Sequence, residues 1–207
     1  MTSIEFLLVL LAWAVGGASP GPATLAIAGT SMDRGRLRGL AVAAGIVCGS
    51  AFWGIAAMLG MSALMLSNAW LFEILRYVGA SYLLYLAFKS AKSAWRNSKI
   101  SMVASTDGTL GKFYLKGLLI HLTNPKPIFG WGAIFAVVVP PGADISALLW
   151  IFGALVVVSC AVFFGYAFLF SVAGIARKYR AMKRWFEVTF ALLFGLAGLK
   201  ILTTRLS

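Results

Sequence analysis

The sequence predicts an all-α membrane protein: six transmembrane helices in two inverted three-helix halves, with helices one and four broken by Pro-x-Pro. Three observations predict it. Of 207 residues, 61% are apolar and 12% charged, whereas a water-soluble domain carries about a quarter charged residues. The 18 Lys and Arg outnumber the 6 Asp and Glu, and they gather in alternate loops. Two Pro-x-Pro sequences interrupt apolar stretches. So little polar sequence cannot coat a water-facing globule, which excludes an ordinary soluble enzyme, a disordered chain and a secreted disulfide scaffold. One transmembrane domain covering 1–207 is expected, with halves of about 1–103 and 104–207. Cys48 and Cys160 lie in apolar runs without CxxC spacing and read as small packing residues.

A helix needs about 20 apolar residues to cross roughly 30 Å of hydrocarbon. Six stretches meet or approach that length: 4–28, 40–66, 71–88, 115–139, 145–175 and 186–202. Backbone amides in lipid must be paired internally, and the alternating segments of a barrel are absent, so a helical bundle follows. No Lys or Arg precedes the first stretch and its apolar pattern resumes after Pro22, so it reads as a retained span rather than a cleaved signal.

Charge then orients the chain. Arg34, Arg36 and Arg38 separate stretches one and two. Lys89, Lys92, Arg96, Lys99, Lys112 and Lys116 separate three and four. Arg177, Lys178, Arg180, Lys183 and Arg184 separate five and six. Fourteen of the 18 basic residues thus lie in alternate connections, while 67–70 and 140–144 hold none. The positive-inside rule puts the basic loops in the cytoplasm and both termini outside, in the cytoplasmic (inner) membrane. Arg177 to Arg184 reads as a patch on anionic lipid, so membrane lipid is an expected partner and nucleic acid is not.

The first stretch is interrupted by Ser19-Pro20-Gly21-Pro22 and the fourth by Asn124-Pro125-Lys126-Pro127. Each is a small polar residue followed by Pro-x-Pro. Phe72-Glu73 and Phe186-Glu187 similarly open stretches three and six. Halves of three spans each run in opposite directions, and matched broken helices in inverted halves point to a transport site. Proline lacks an amide hydrogen and clashes with the carbonyl four residues back, so Pro-x-Pro opens a helix locally. Opened backbone is tolerated at depth only inside protein or beside a cavity. The half-helix that restarts presents free amides and a positive dipole end, which favour a carboxylate.

These residues resemble the LysE/RhtB family of amino-acid exporters. The resemblance is carried by Ser19-Pro20-Gly21-Pro22, then Arg34-Gly35 through Gly39, Gly45 and Gly49. It continues in Leu75-Arg76-Tyr77-Val78-Gly79-Ala80-Ser81-Tyr82-Leu83-Leu84-Tyr85-Leu86 and in Asn124-Pro125-Lys126. It covers about the first two thirds of the chain; beyond Pro140 only hydropathy agrees. It implies a secondary exporter of amino acids or related metabolites, driven by an ion gradient, with protons as the expected ion.

The candidate substrate-binding residues are Ser19, Pro20, Gly21, Pro22, Asn124, Pro125, Lys126 and Pro127. An ammonium such as Lys126 is expensive in an apolar stretch; it either receives a carboxylate or titrates, or it snorkels to the interface. Asn124 and Ser19 either read substrate or cap the following half-helix. His121, three residues before Asn124, is a candidate for proton coupling, against a plain structural role. Glu73 and Arg76 are spaced to pair on one helix face, which makes Arg76 tolerable in the membrane; an external gate is the alternative. Tyr82 and Tyr85 share a face and line a cavity or simply pack. Gly45 and Gly49 form a GxxxG pair suited to close helix packing. Trp70, Trp95, Trp150 and Trp185 fall near span ends as interfacial anchors.

Two other functions compete: export of an inorganic ion, and a membrane subunit that transports nothing. Cation sites want clustered carboxylates, histidines or thiolates, which the spans lack. No HExxH, deep carboxylate pair or nucleophile–base pair is present, so catalysis is not expected. No cofactor or metal is expected. The expected partner is a small-molecule amino acid, and self-association into a homo-oligomer is left open.

Overall fold

The first apolar stretch folds as two helices. In the computed structural model, which describes residues 3–67, 69–96, 108–139, 143–172 and 174–203, α1 (Ser3–Ala18) stops before Pro20 and α2 (Pro22–Arg34) leaves at 60° to it. Proline suits the first turn of a helix, where its missing amide has no bond to make. α2 ends at Gly35, whose φ of 82° lies in the left-handed region that a residue without Cβ adopts freely. There follow α3 (Arg36–Ser67), α4 (Ala69–Arg96), α5 (Leu110–Leu122), α6 (Pro125–Val138), α7 (Ile145–Phe170) and α8 (Ile175–Thr203). Among the described residues every regular element is a helix.

Two boundaries differ from those read in the sequence. α4 continues past Phe88 to Arg96, so Lys89, Lys92 and Arg96 stand on a helix rather than in a loop. The fifth stretch ends at Phe170, and Ile175 begins α8, which carries the basic run and the sixth apolar stretch without interruption. Hydropathy marks where charge begins, but Lys and Arg are good helix formers and do not end a helix.

α3, over Arg36–Gly60, and α7 are long and apolar enough to cross a membrane, and the bent α1–α2 pair makes a third such span if counted as one. α6 is a shorter apolar helix. Large apolar side chains including Leu8, Leu11, Phe52, Leu59, Val157 and Leu196 face outward, a surface suited to lipid. Trp95 and Trp150 are exposed near helix ends, and Trp185 where basic and apolar parts of α8 meet. The side chain of Trp70 lies outside the described residues.

α4 packs along α8 and also against α6. α3 lies against α5, α6 and α7, and α7 receives α1 and α2. The α3–α5 crossing is backbone against backbone. A Cβ at Gly45 would collide with the Tyr114 carbonyl oxygen, and one at Gly117 with the Val42 carbonyl oxygen; Gly49 faces the His121 Cβ in the same way. The Gly45/Gly49 pair therefore works as a packing face, with Gly117 as its counterpart on α5.

Two large apolar clusters fill most of the interior among the described residues, beside a small one on Ala28 and Phe170. One joins Trp13 of α1, Met58 of α3, Trp131 and Phe135 of α6, and Ile151 and Leu155 of α7. The other joins Ile27 of α2, Val42 and Ile46 of α3, Phe113 of α5 and Phe163 of α7. Between them along the chain stand buried polar residues: Ser19, Ser50, His121 with Asn124, and Ser159. Burying such groups is costly without hydrogen bonds, so this polar layer is where chemistry is to be sought.

Candidate functional site

The two helix breaks meet in that layer. Past Ala18 the α1 ladder ends, and the freed carbonyls find individual partners. The Tyr166 hydroxyl of α7 donates to the Ala18 carbonyl at 2.6 Å. Thr24 accepts from the Gly21 amide at 3.0 Å and turns its own proton toward the Ser19 and Gly21 carbonyls, at 3.3 and 3.2 Å. The Ser19 hydroxyl donates to the Gly16 carbonyl at 2.9 Å. The opened backbone here is thus bonded within the protein.

Across from it, α5 ends at Leu122 and α6 begins at Pro125. Asn124 caps α6, its Oδ1 accepting from the Lys126 amide at 3.1 Å. The half-buried Lys126 side chain reaches back to the first break. Its Nζ donates to the Ser19 hydroxyl and, at 3.3 Å, to the Ser19 carbonyl. A Cβ on Gly21 would sit 3.9 Å from that Nζ, so glycine leaves the ammonium approachable from the α2 side. The ammonium donates three hydrogen bonds and accepts none; its partners among the described residues are neutral oxygens. Asn124→Ala removes the α6 cap and is expected to cost about 1 kcal/mol, read as a lower thermal midpoint of the detergent-purified protein.

Ser19, Gly21, Asn124 and Lys126 are therefore brought together, with Pro20, Pro22, Pro125 and Pro127 supplying the surrounding turns. His121 is buried one turn before Asn124, edge-on to Phe163 with ring centroids 5.7 Å apart. Its Nδ1 has no hydrogen-bond partner among the described residues. Tyr85 is 54% exposed on the outer surface of α4 and does not join this group. Glu73, Arg76 and Tyr82 belong to α4 by backbone, and their side chains lie outside the described residues.

Several polar groups around the breaks carry no sequence signal of their own. The Trp131 indole donates to the Ser50 hydroxyl at 3.1 Å, and the Trp13 indole to the Ser159 hydroxyl at 2.9 Å. The two indoles pack at 4.6 Å between centroids and close one side of the layer. A serine or tyrosine in an apolar helix is too common to mark; only the fold shows that Thr24 and Tyr166 bond the first break and that Ser50 and Ser159 hold the two indoles.

The family described as LysE type translocator matches residues 14–205. The Threonine efflux protein of Escherichia coli (strain K12) is 29% identical over 202 residues, covering 97% of this chain and 98% of that protein. An uncharacterized membrane protein of Haemophilus influenzae is 27% identical over 184 residues, 87% of each chain. The Leucine efflux protein of Salmonella choleraesuis (strain SC-B67) is 36% identical over 116 residues, 56% of this chain and 54% of that protein. No solved structure matches significantly.

Proposed function

The chain belongs to the LysE type translocator family, and on that premise we propose that it is a secondary exporter of amino acids whose substrate site lies where the two helix breaks meet. The observation that carries this reading is the Lys126 ammonium, held on the Ser19 hydroxyl and carbonyl rather than on an acid. An intramembrane cation bonded to neutral oxygens is costly, and a substrate carboxylate is the stronger partner, because it adds the attraction of a full opposite charge at low effective dielectric. The carboxylate replaces Ser19 on loading, and the Lys126–Ser19 bond re-forms on release. The α2 and α6 N-termini add their amide dipoles to the same charge.

Six spans form the bundle: α1 with α2, α3, α4, α5 with α6, α7 and α8. They fall into inverted halves, 1–103 and 104–207. The pairing of elements supports this, since α1–α2 lies on α7 as α5–α6 lies on α3, and α4 meets α8. The protein resides in the inner membrane with its basic segments on the cytoplasmic face. The two apolar clusters serve as gates: opening the one built on Ile27, Ile46, Phe113 and Phe163 exposes the site to the cytoplasm, and opening the Trp13–Trp131 side exposes it outside. Protons drive the cycle in this reading, with His121 as their carrier; its burial beside the break supports that assignment.

The relatives named for threonine and leucine efflux set the first substrates to try. Cells producing the protein and fed threonine- or leucine-containing dipeptides are expected to hold less of the free amino acid inside and release more. Unchanged efflux across a panel of dipeptides spanning all side-chain classes, with the protein present in the membrane, would contradict the proposal.

A further inference from the structure

We infer that Glu187 of α8, held by Ser93 of α4, is the subsite that receives the α-ammonium group of an amino acid whose carboxylate is bound at Lys126. This rests on the exporter reading above and adds the second recognition element that an amino acid, as a zwitterion, requires.

Glu187 is the only buried carboxylate among the described residues, with 6% of its surface exposed. Glu5, Asp33 and Asp144 are exposed. A carboxylate inside a membrane bundle is expensive and calls for a cationic partner. Among the described residues its hydrogen-bond partner is one hydroxyl: Ser93 Oγ donates to Glu187 Oε1 at 3.0 Å. An ionised carboxylate has about four acceptor positions, so capacity remains for an ammonium with its three donors.

The placement fits a two-ended ligand. α4 packs against both α6, which begins beside Lys126, and α8, which carries Glu187. Glu187 attracts the Lys126 charge and Lys89 repels it, while the hydrogen bonds of Lys126 go to Ser19. Glu187 also stands one turn beyond the basic run on α8, and Ser93 one turn beyond Lys89 on α4. It therefore lies toward the basic end of the bundle, the end from which an exporter loads. A zwitterion laid between the two charges pairs both. A 2-hydroxy acid leaves Glu187 without a cation, and that unpaired buried charge is the basis of discrimination.

The test is counterflow in proteoliposomes with labelled L-leucine and L-threonine, competed by each unlabelled amino acid or its 2-hydroxy acid. The wild-type protein is expected to prefer the amino acid by roughly tenfold or more. In Glu187→Gln the amino acid weakens, the hydroxy acid does not, and the gap closes. Ser93→Ala keeps the charge but frees its orientation, and narrows the gap by about threefold; it carries the test should the glutamine variant not fold. A gap retained in either folded variant, or both ligands weakened equally by Glu187→Gln, overturns the inference. Lys126→Met separates the two readings, because it should weaken amino acid and hydroxy acid alike. If it weakens neither, the carboxylate site itself is wrong, whatever Glu187 does.

Discussion

Lys126→Met is expected to abolish export while leaving the protein at least as stable as the wild type. The variant keeps most of the side chain's length and removes the charged, hydrogen-bonding end. Loss of a charged contact made to the substrate lowers efflux by about a hundredfold, or ~2.8 kcal/mol where each ~1.4 kcal/mol is tenfold. Stability moves the other way. The half-buried ammonium is bonded to neutral Ser19 oxygens, and the pull of Glu187 on it is opposed by Lys89, so removing it relieves a desolvation cost with little bonding lost. Efflux from cells and the thermal midpoint of purified protein check the two halves together. A protein that loses stability yet still transports would mark Lys126 as a structural residue. The opposed signs express a general trade, in which groups held ready for a ligand are costly to the empty fold.

Gly45→Ala and Gly117→Ala are expected to be the most damaging single substitutions of the fold. At both positions a single methyl group meets the carbonyl of the facing helix, which cannot turn aside as a side chain can. Separating α3 from α5 to admit it also disturbs His121 and Asn124, which follow Gly117 within two turns. The cost is about 3 kcal/mol or more, at the upper end of overpacking, and is read as lost folded yield and a lower thermal midpoint. Gly60→Ala is the control. Among the described residues nothing lies within 4 Å of a Cβ there, and alanine favours a helix over glycine by up to about 1 kcal/mol. Equal tolerance at Gly45 and Gly60 would show that the crossing is looser than described.

Features that obey a local rule are legible in the sequence. Pro20, Pro22, Pro125 and Pro127 remove backbone amides wherever they stand, so the residues alone mark the ends of α1 and α5. Gly45 and Gly49 mark a close crossing by their spacing. The depth of Lys126 is ambiguous by a turn in the sequence, because residues 110 and 115 serve equally as a helix start; α5 begins at Leu110. Tertiary meaning is hidden. Glu187 stands beside a basic run that makes it look like a surface residue, and only the packing of α8 on α4 buries it against Ser93. Ser50 and Ser159 become informative because two indoles from different helices reach them. Tyr85, which shares a face with Tyr82 by spacing, lies on the exposed side of α4, since spacing shows which residues share a face but not what that face meets.

The central claim is that the two helix breaks form one carboxylate site around Lys126, and the structure of the protein with an exported amino acid bound tests it most directly. The substrate carboxylate is expected within hydrogen-bond distance of Lys126 Nζ, with Ser19 displaced from that atom. Substrate bound elsewhere, with the Lys126–Ser19 contact intact, would contradict it.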